Sequence, residues 1–143
     1  MATYSFTAAE VLAPEYSGRF YEVGEPIAPG EVVSIDSDFI AWRAINDDVD
    51  LAIASGVAVG TAAVAGRWVA IQTAGRLTVA TSALFASVGE LLVVAGVAGD
   101  CMDAADLAAS DYAFLIGWVI STTEIWINPL AITDANGDIL AVT

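Results

Sequence analysis

From residue 30 onward, short runs of Val, Ile, Thr and aromatic side chains are separated by Gly, Asp and Ser clusters, and the runs recur about every 8–12 residues. Side chains on a strand point alternately to its two faces, so short runs punctuated in this way read as strands of a sandwich or barrel. The predicted strands are residues 31–35, 39–45, 51–59, 68–72, 76–80, 91–95, 114–121 and 124–128, with a final pair at 130–133 and 138–142. The one convincing helical stretch is 103–109, where Asp103 can cap a turn or two ahead of Leu107. The expected fold class is all-β: a compact barrel or sandwich of short antiparallel strands.

Two turns can be argued further. A three-residue loop Thr73-Ala74-Gly75 would set Ile71 opposite Leu77 and Val69 opposite Val79 on one side, with Gln72 opposite Arg76 and Trp68 opposite Ala80 on the other. A two-residue Ala74-Gly75 turn would mix polar and apolar residues on each face, so the longer loop is expected, with Gly75 at its left-handed third position. Asn136-Gly137 signals a type I′ hairpin that would make the C-terminus a strand pair.

The run Phe114-Leu115-Ile116-Gly117-Trp118-Val119-Ile120 shows no alternation, which predicts burial of both faces. One face can meet the core, and a neighbouring subunit is the simplest cover for the other. A strand enclosed on both sides within one chain is the alternative. Gly117 marks a bulge or a close backbone approach. Candidate oligomer-interface residues are therefore Phe114, Leu115, Ile116, Trp118 and Ile120, together with Trp126, which inward-facing Ile125 and Ile127 would leave outward.

Residues 1–29 read differently. Pro14, Pro26 and Pro29 interrupt any long element, and five of the nine Tyr and Phe residues lie at Tyr4, Phe6, Tyr16, Phe20 and Tyr21. This segment is expected to be an extended N-terminal arm ahead of a single all-β domain at 30–143, and the alternative is a first edge strand folded onto its own core. On the arm reading, the five aromatics are the candidate contacts to a neighbour.

Composition narrows the chemistry. With 143 residues the chain is one domain. Eighteen acidic side chains against four arginines (Arg19, Arg43, Arg67, Arg76) and no lysine give a net charge of −14, which argues against nucleic acid as a partner because phosphate binding needs clustered cations. The absence of histidine removes Ser-His-Asp and Cys-His sites and nearly every zinc site, and the lone Cys101 cannot form an internal disulfide. The chain is read as a structural or binding protein rather than an enzyme, with no cofactor.

Apolar residues make up 57% of the chain and the mean hydropathy is +0.70. Yet the longest weakly charged stretches, residues 51–66 and 77–89, fall short of the roughly 18–20 residues of a spanning helix, so no membrane partner is expected. Residues 1–6 carry no cationic run of the kind that opens a secretory leader. The excess of apolar residues is better explained by a surface covered by copies of the chain or by a partner.

Carboxylates are the only abundant reactive groups. Asp47-Asp48-Val49-Asp50 could offer oxygens to calcium or be a solvated loop, and the run from Asp134 to Asp138 fails as an EF-hand because Ile139 occupies the sixth position, where glycine is required. No feature selects a carboxylate pair for glycoside hydrolysis. Asp100, Asp103, Asp106 and Asp111 form a solvated face or a docking face for a basic partner. No residue is assigned a catalytic, cofactor-binding or metal-ligating role.

The order of features carries a resemblance. Residues 24–35 (GEPIAPGEVVSI) are followed by AGRWVAI at 65–71, GRLTV at 75–79, VGELLV at 88–93, an acidic excursion and FLIGWVIS at 114–121. From about Gly24 to Asn128 this resembles the small capsid decoration, or cement, proteins of tailed bacteriophages. The resemblance implies a compact β-barrel or sandwich that assembles as a homotrimer, or in some relatives a dimer, on the outer surface of the virion head. There it would clasp adjacent copies of the major capsid protein against the pressure of packaged DNA. Interface strand 114–120 would join the copies, and the aromatic arm of Tyr4, Phe6, Tyr16, Phe20 and Tyr21 would grip the capsid. The alternative is a small β-sandwich binding module of a phage tail or fibre that recognises a glycan or a protein, with Trp42, Trp68 or Trp126 as stacking platforms.

Overall fold

The computed structural model describes residues 3–4, 11–12, 18–79 and 88–143. Among these residues the chain is nearly all β. The strands are β1 (Thr3–Tyr4), β2 (Val11–Leu12), β3 (Gly18–Val23), β4 (Val32–Ile35), β5 (Ile40–Arg43), β6 (Ala54–Ala58), β7 (Trp68–Gln72), β8 (Gly75–Val79), β9 (Leu91–Val94), β10 (Cys101–Asp103), β11 (Phe114–Ser121) and β12 (Glu124–Ala131). Five of them close into a barrel in the order β3-β5-β4-β6-β7, and the other seven form a sheet in the order β1-β10-β9-β11-β12-β8-β2. All pairings are antiparallel except β3 with β5. The architecture thus combines a barrel with a second sheet laid against it.

Two apolar cores follow from this layout. Val23, Ile27, Val33, Ala41, Ala58, Ala62, Val69 and Ile71 fill the barrel. The second core lies between barrel and sheet, where Val32, Ala44, Ala54 and Val57 meet Leu77, Leu92, Val94, Cys101, Phe114, Ile116, Val119, Ile125 and Ile127. Adjacent barrel residues serve different cores: Val32 faces the sheet and Val33 the barrel interior, as the period of two requires.

The segment 18–29 belongs to the barrel, which corrects the expected arm over 1–29. Strand β3 pairs along its length with β7, from Gly18 opposite Gln72 to Glu22 opposite Trp68, and Ile27 is fully buried. Without β3 the barrel would keep two open edges, on β5 and β7, whose unpaired backbone groups are costly. Pro26 and Pro29 lie in the connection to β4, where a missing N–H breaks no ladder.

The proposed 73–75 hairpin is a corner instead. Strand β7 pairs with β3 and β6 in the barrel, whereas β8 pairs with β12 and β2 in the sheet. Ile71 and Leu77 therefore enter different cores. Fully buried Gln72 holds the corner, its amide nitrogen donating to Ala74 O at 3.0 Å and Arg76 O at 2.9 Å. Gly75 has φ +91°, the left-handed backbone expected for it, and Ala80 lies outside the described residues.

The C-terminal turn also differs in type. A type I′ turn needs positive φ at both central residues, but Gly137 has φ +84° while Asn136 does not have a positive φ. Asp134 N donates to Asp138 O at 2.8 Å and Gly137 N to Asp134 O at 3.1 Å, which makes a three-residue loop with glycine third. The Asp134 carboxylate accepts from Asn136 N at 2.8 Å and Asp138 N at 3.2 Å, so it organises the turn from within. The expected strand pair shrinks accordingly: 130–131 extend β12, and single bridges join Thr133 to Ile139 and Tyr112 to Ala141. The helical stretch is one 3-10 turn, Ala104–Asp106, with Asp103 Oδ1 accepting from Ala105 N at 2.9 Å.

Candidate interaction surfaces

The first surface is the outer face of the sheet, and a bulge builds it. Pairing of β11 with β12 shifts register between Leu115 and Gly117, from Leu115 opposite Leu130 to Gly117 opposite Ile127. A Cβ at Gly117 would overlap the Trp126 carbonyl, so only glycine fits. Against β9 the extra residue lies on β11, where Leu115 to Gly117 spans only Val93 to Leu92, and it reverses the phase of alternation. Phe114 and Ile116 face inward before it and Val119 faces inward after it, while Leu115, Trp118 and Ile120 are half-buried.

The run without alternation is thus two alternating halves out of phase. Of the six candidate interface residues, Phe114 and Ile116 are core residues of their own chain, a correction imposed by this bulge. Leu115, Trp118, Ile120 and Trp126 remain toward the outside. Trp126 is outward between buried Ile125 and Ile127.

Register places these residues in rows. Leu91, Trp118, Trp126 and Arg76 stand side by side across β9, β11, β12 and β8. Two outward positions further along β12, past exposed Asn128, Leu130 faces Leu115 and is 58% exposed. At the β10 end, Val93, Ala95 and Met102 are covered by Ala104 and Leu107 of the 3-10 segment. In these four central strands the only charged side chains are Arg76 and Glu124, and they pair at 3.3 Å. The face is apolar and electrically neutral on a chain of charge −14.

The second surface is the β4–β5 end of the barrel. Asp36 N donates to Ile40 O and Phe39 N to Asp36 O, both at 3.0 Å, closing a three-residue loop. The Asp36 carboxylate accepts from Asp38 N, Ile40 N and Trp42 Nε1, each at 2.9 Å, and these hydrogen bonds, led by that from Ile40, hold it below its usual pKa. Phe39 occupies the third loop position with φ +61° and is 72% exposed. Left-handed backbone costs a non-glycine residue roughly 1–2 kcal/mol. A depression of about 370 Å³ lined by Ile35, Asp36, Ser37, Asp50 and Ile53 joins this tip to the 47–53 loop.

Phe39 was expected to open a strand and instead precedes it. The Asp-Ser-Asp run before it is the sequence signal for a turn. Trp42, considered as a stacking platform, is tied to Asp36 and packed on Gly24, where a Cβ would collide with its ring.

The aromatic contact set is dispersed. Tyr4 is half-buried against the inter-sheet core and donates its hydroxyl to Glu90 Oε1 at 2.9 Å, so it is engaged within its own chain. Tyr21 packs on the barrel core. Phe20 is 65% exposed on the outer barrel wall, diagonal to Trp68, which is 62% exposed beside a depression of about 630 Å³ lined by residues 61–64 and 66–68. Phe6 and Tyr16 lie outside the described residues.

Among the described residues no three His, Cys, Asp or Glu side chains are grouped to hold a metal ion. Burial, with Asp100 and Glu90 nearby, pushes the Cys101 thiol up to about 12, which keeps it protonated and unreactive. No protein-family model matches the chain, and no curated protein matches it in sequence.

Proposed function

We propose that the chain is a structural capsid decoration, or cement, protein: it self-associates through its outer sheet face and binds the outside of a phage head, strengthening contacts between major capsid subunits. The observation that carries this reading is the neutral apolar face of Leu91, Leu115, Trp118, Trp126 and Leu130 on a chain of charge −14. Uncompensated carboxylates elsewhere would repel a second copy, while this face offers aromatic and aliphatic area with one internally paired ion pair. The order of sequence features shared with cement proteins supports the same reading, with a trimer as the expected assembly and a dimer as the smaller option. Repetition over many lattice sites would multiply modest contacts by avidity.

The test is the copy number relative to the major capsid protein in gradient-purified particles, by quantitative mass spectrometry. A simple stoichiometric ratio amounting to hundreds of copies is expected. A handful of copies would favour tail or fibre, and absence from particles would contradict the reading.

A second reading, a tail or fibre binding module, is favoured by exposed Trp68 beside its depression, since a flat indole next to a recess suits a sugar ring. Tryptophan fluorescence titrated with a glycan panel separates the two: a saturable response would support the module, and none is expected from a cement protein.

A further inference from the structure

The β4–β5 tip carries a residue that the chain itself does not favour. Phe39 gains little from burial at 72% exposure, and its left-handed backbone is one that glycine holds without strain. Val49 and Ile53 are exposed in the adjoining loop, and the depression between Ile35 and Ile53 connects the two. Asp36 and Asp50 line this depression, Asp38 directly precedes Phe39, and Asp47 and Asp48 lead into Val49; all five are exposed. The arginines lie elsewhere: Arg43 at the far end of β5 is held by Glu25 and Glu31, Arg76 by Glu124, and Arg19 and Arg67 stand on β3 and before β7.

An apolar centre inside a charged rim is the anatomy of a protein contact. We propose that this end of the barrel is a knob that docks into an apolar pocket with a basic rim on the capsid subunit, an inference that rests on the cement reading and names the chemistry of the partner's side. A second copy of the tip is not the occupant, because it would oppose two sets of five carboxylates with no cation between them. The knob therefore makes the contact to the lattice while the sheet face makes the contact between copies.

The test uses heads of the phage that encodes the chain, purified without this protein, and measures binding of the full-length wild type, Phe39→Gly and the pair Asp38→Lys/Asp47→Lys. Phe39→Gly relieves backbone strain, so loss of fold does not confound it, and circular dichroism checks this. Wild type is expected to saturate the heads with an affinity that falls as salt is raised, and each variant to bind at least about tenfold more weakly. If wild type binds and Phe39→Gly stays within about twofold of it, the knob is overturned and the cement reading stands. If wild type does not bind heads at all, both are overturned.

Discussion

The outer sheet face and the barrel tip are both exposed and apolar, yet they differ in charge and in how their backbone is held. On the sheet face, Trp118, Trp126 and their neighbours sit on regular strands over a filled core, and the one ion pair cancels itself. At the tip, one phenylalanine stands on a strained loop next to exposed Asp36 and Asp38 and a depression lined by Asp36 and Asp50. Neutral, rigid area suits contact with an identical, equally acidic copy, whereas a charged rim demands a partner of opposite sign. On the proposed reading, the contrast would let a chain of −14 assemble with itself through one face and meet a different protein through the other.

The bulge is where a single substitution should disturb the sheet face most. Gly117→Val would drive a branched side chain into the Trp126 carbonyl, and urea unfolding should show a loss of about 3 kcal/mol or more, because no rotamer escapes a backbone overlap. Next in size, Trp126→Glu removes the central indole and adds a second carboxylate beside the Arg76–Glu124 pair, so the row gains a net negative charge while both cores stay intact. Self-association measured by sedimentation should weaken by about 30-fold or more, as for a central aromatic anchor costing roughly 2 kcal/mol, with little change in unfolding midpoint.

At the tip the sign reverses. Phe39→Gly should stabilise the isolated chain by about 0.5 kcal/mol, the left-handed cost of roughly 1–2 less the entropy penalty of glycine at about 0.5–1. An unfolding curve unchanged or shifted to lower urea would contradict the strain argument.

A finer probe is pH. The Asp36 carboxylate sits below its usual value near 3.8, so its stabilisation of the turn is fully present above that value and is lost as pH falls through the lower, folded value. Asp36→Asn should therefore be less stable than wild type at neutral pH, and the difference should shrink in acid below the ordinary carboxylate range. The sheet side supplies the smallest effect: Cys101, buried with its thiol raised to about 12, should react with a thiol reagent at pH 8 only as fast as the core opens, while the unfolded chain reacts at once.

Much of the fold was legible because period-two patterning and turn chemistry are local. Strands 68–72 and 114–121 fall where the pattern places them, Asp103 caps its turn, and Gly117 is both a bulge and a close approach. Trp126 was legible as outward because both flanking isoleucines are apolar.

What was not legible depends on tertiary choice. Nothing near Thr73 to Gly75 says whether the chain doubles back or crosses into a second sheet; that is decided by two cores competing for Ile71 and Leu77. The prolines around β3 hid a barrel strand, and a bulge disguised alternation as its absence, which placed Phe114 and Ile116 on the surface when they belong inside. Phe39 escaped notice because β-propensity favours an aromatic in a strand, and only its positive φ shows it standing on a turn.

The most direct test of the neutral face is the mass of the full-length chain in solution by sedimentation equilibrium, with Trp126→Glu run beside it. A wild-type mass of three, or two, times 14.7 kDa, collapsing to a single chain in the variant, is expected. A wild type that stays at one chain mass across the accessible concentration range, or a variant that assembles as well as wild type, would contradict the claim that this face joins the copies.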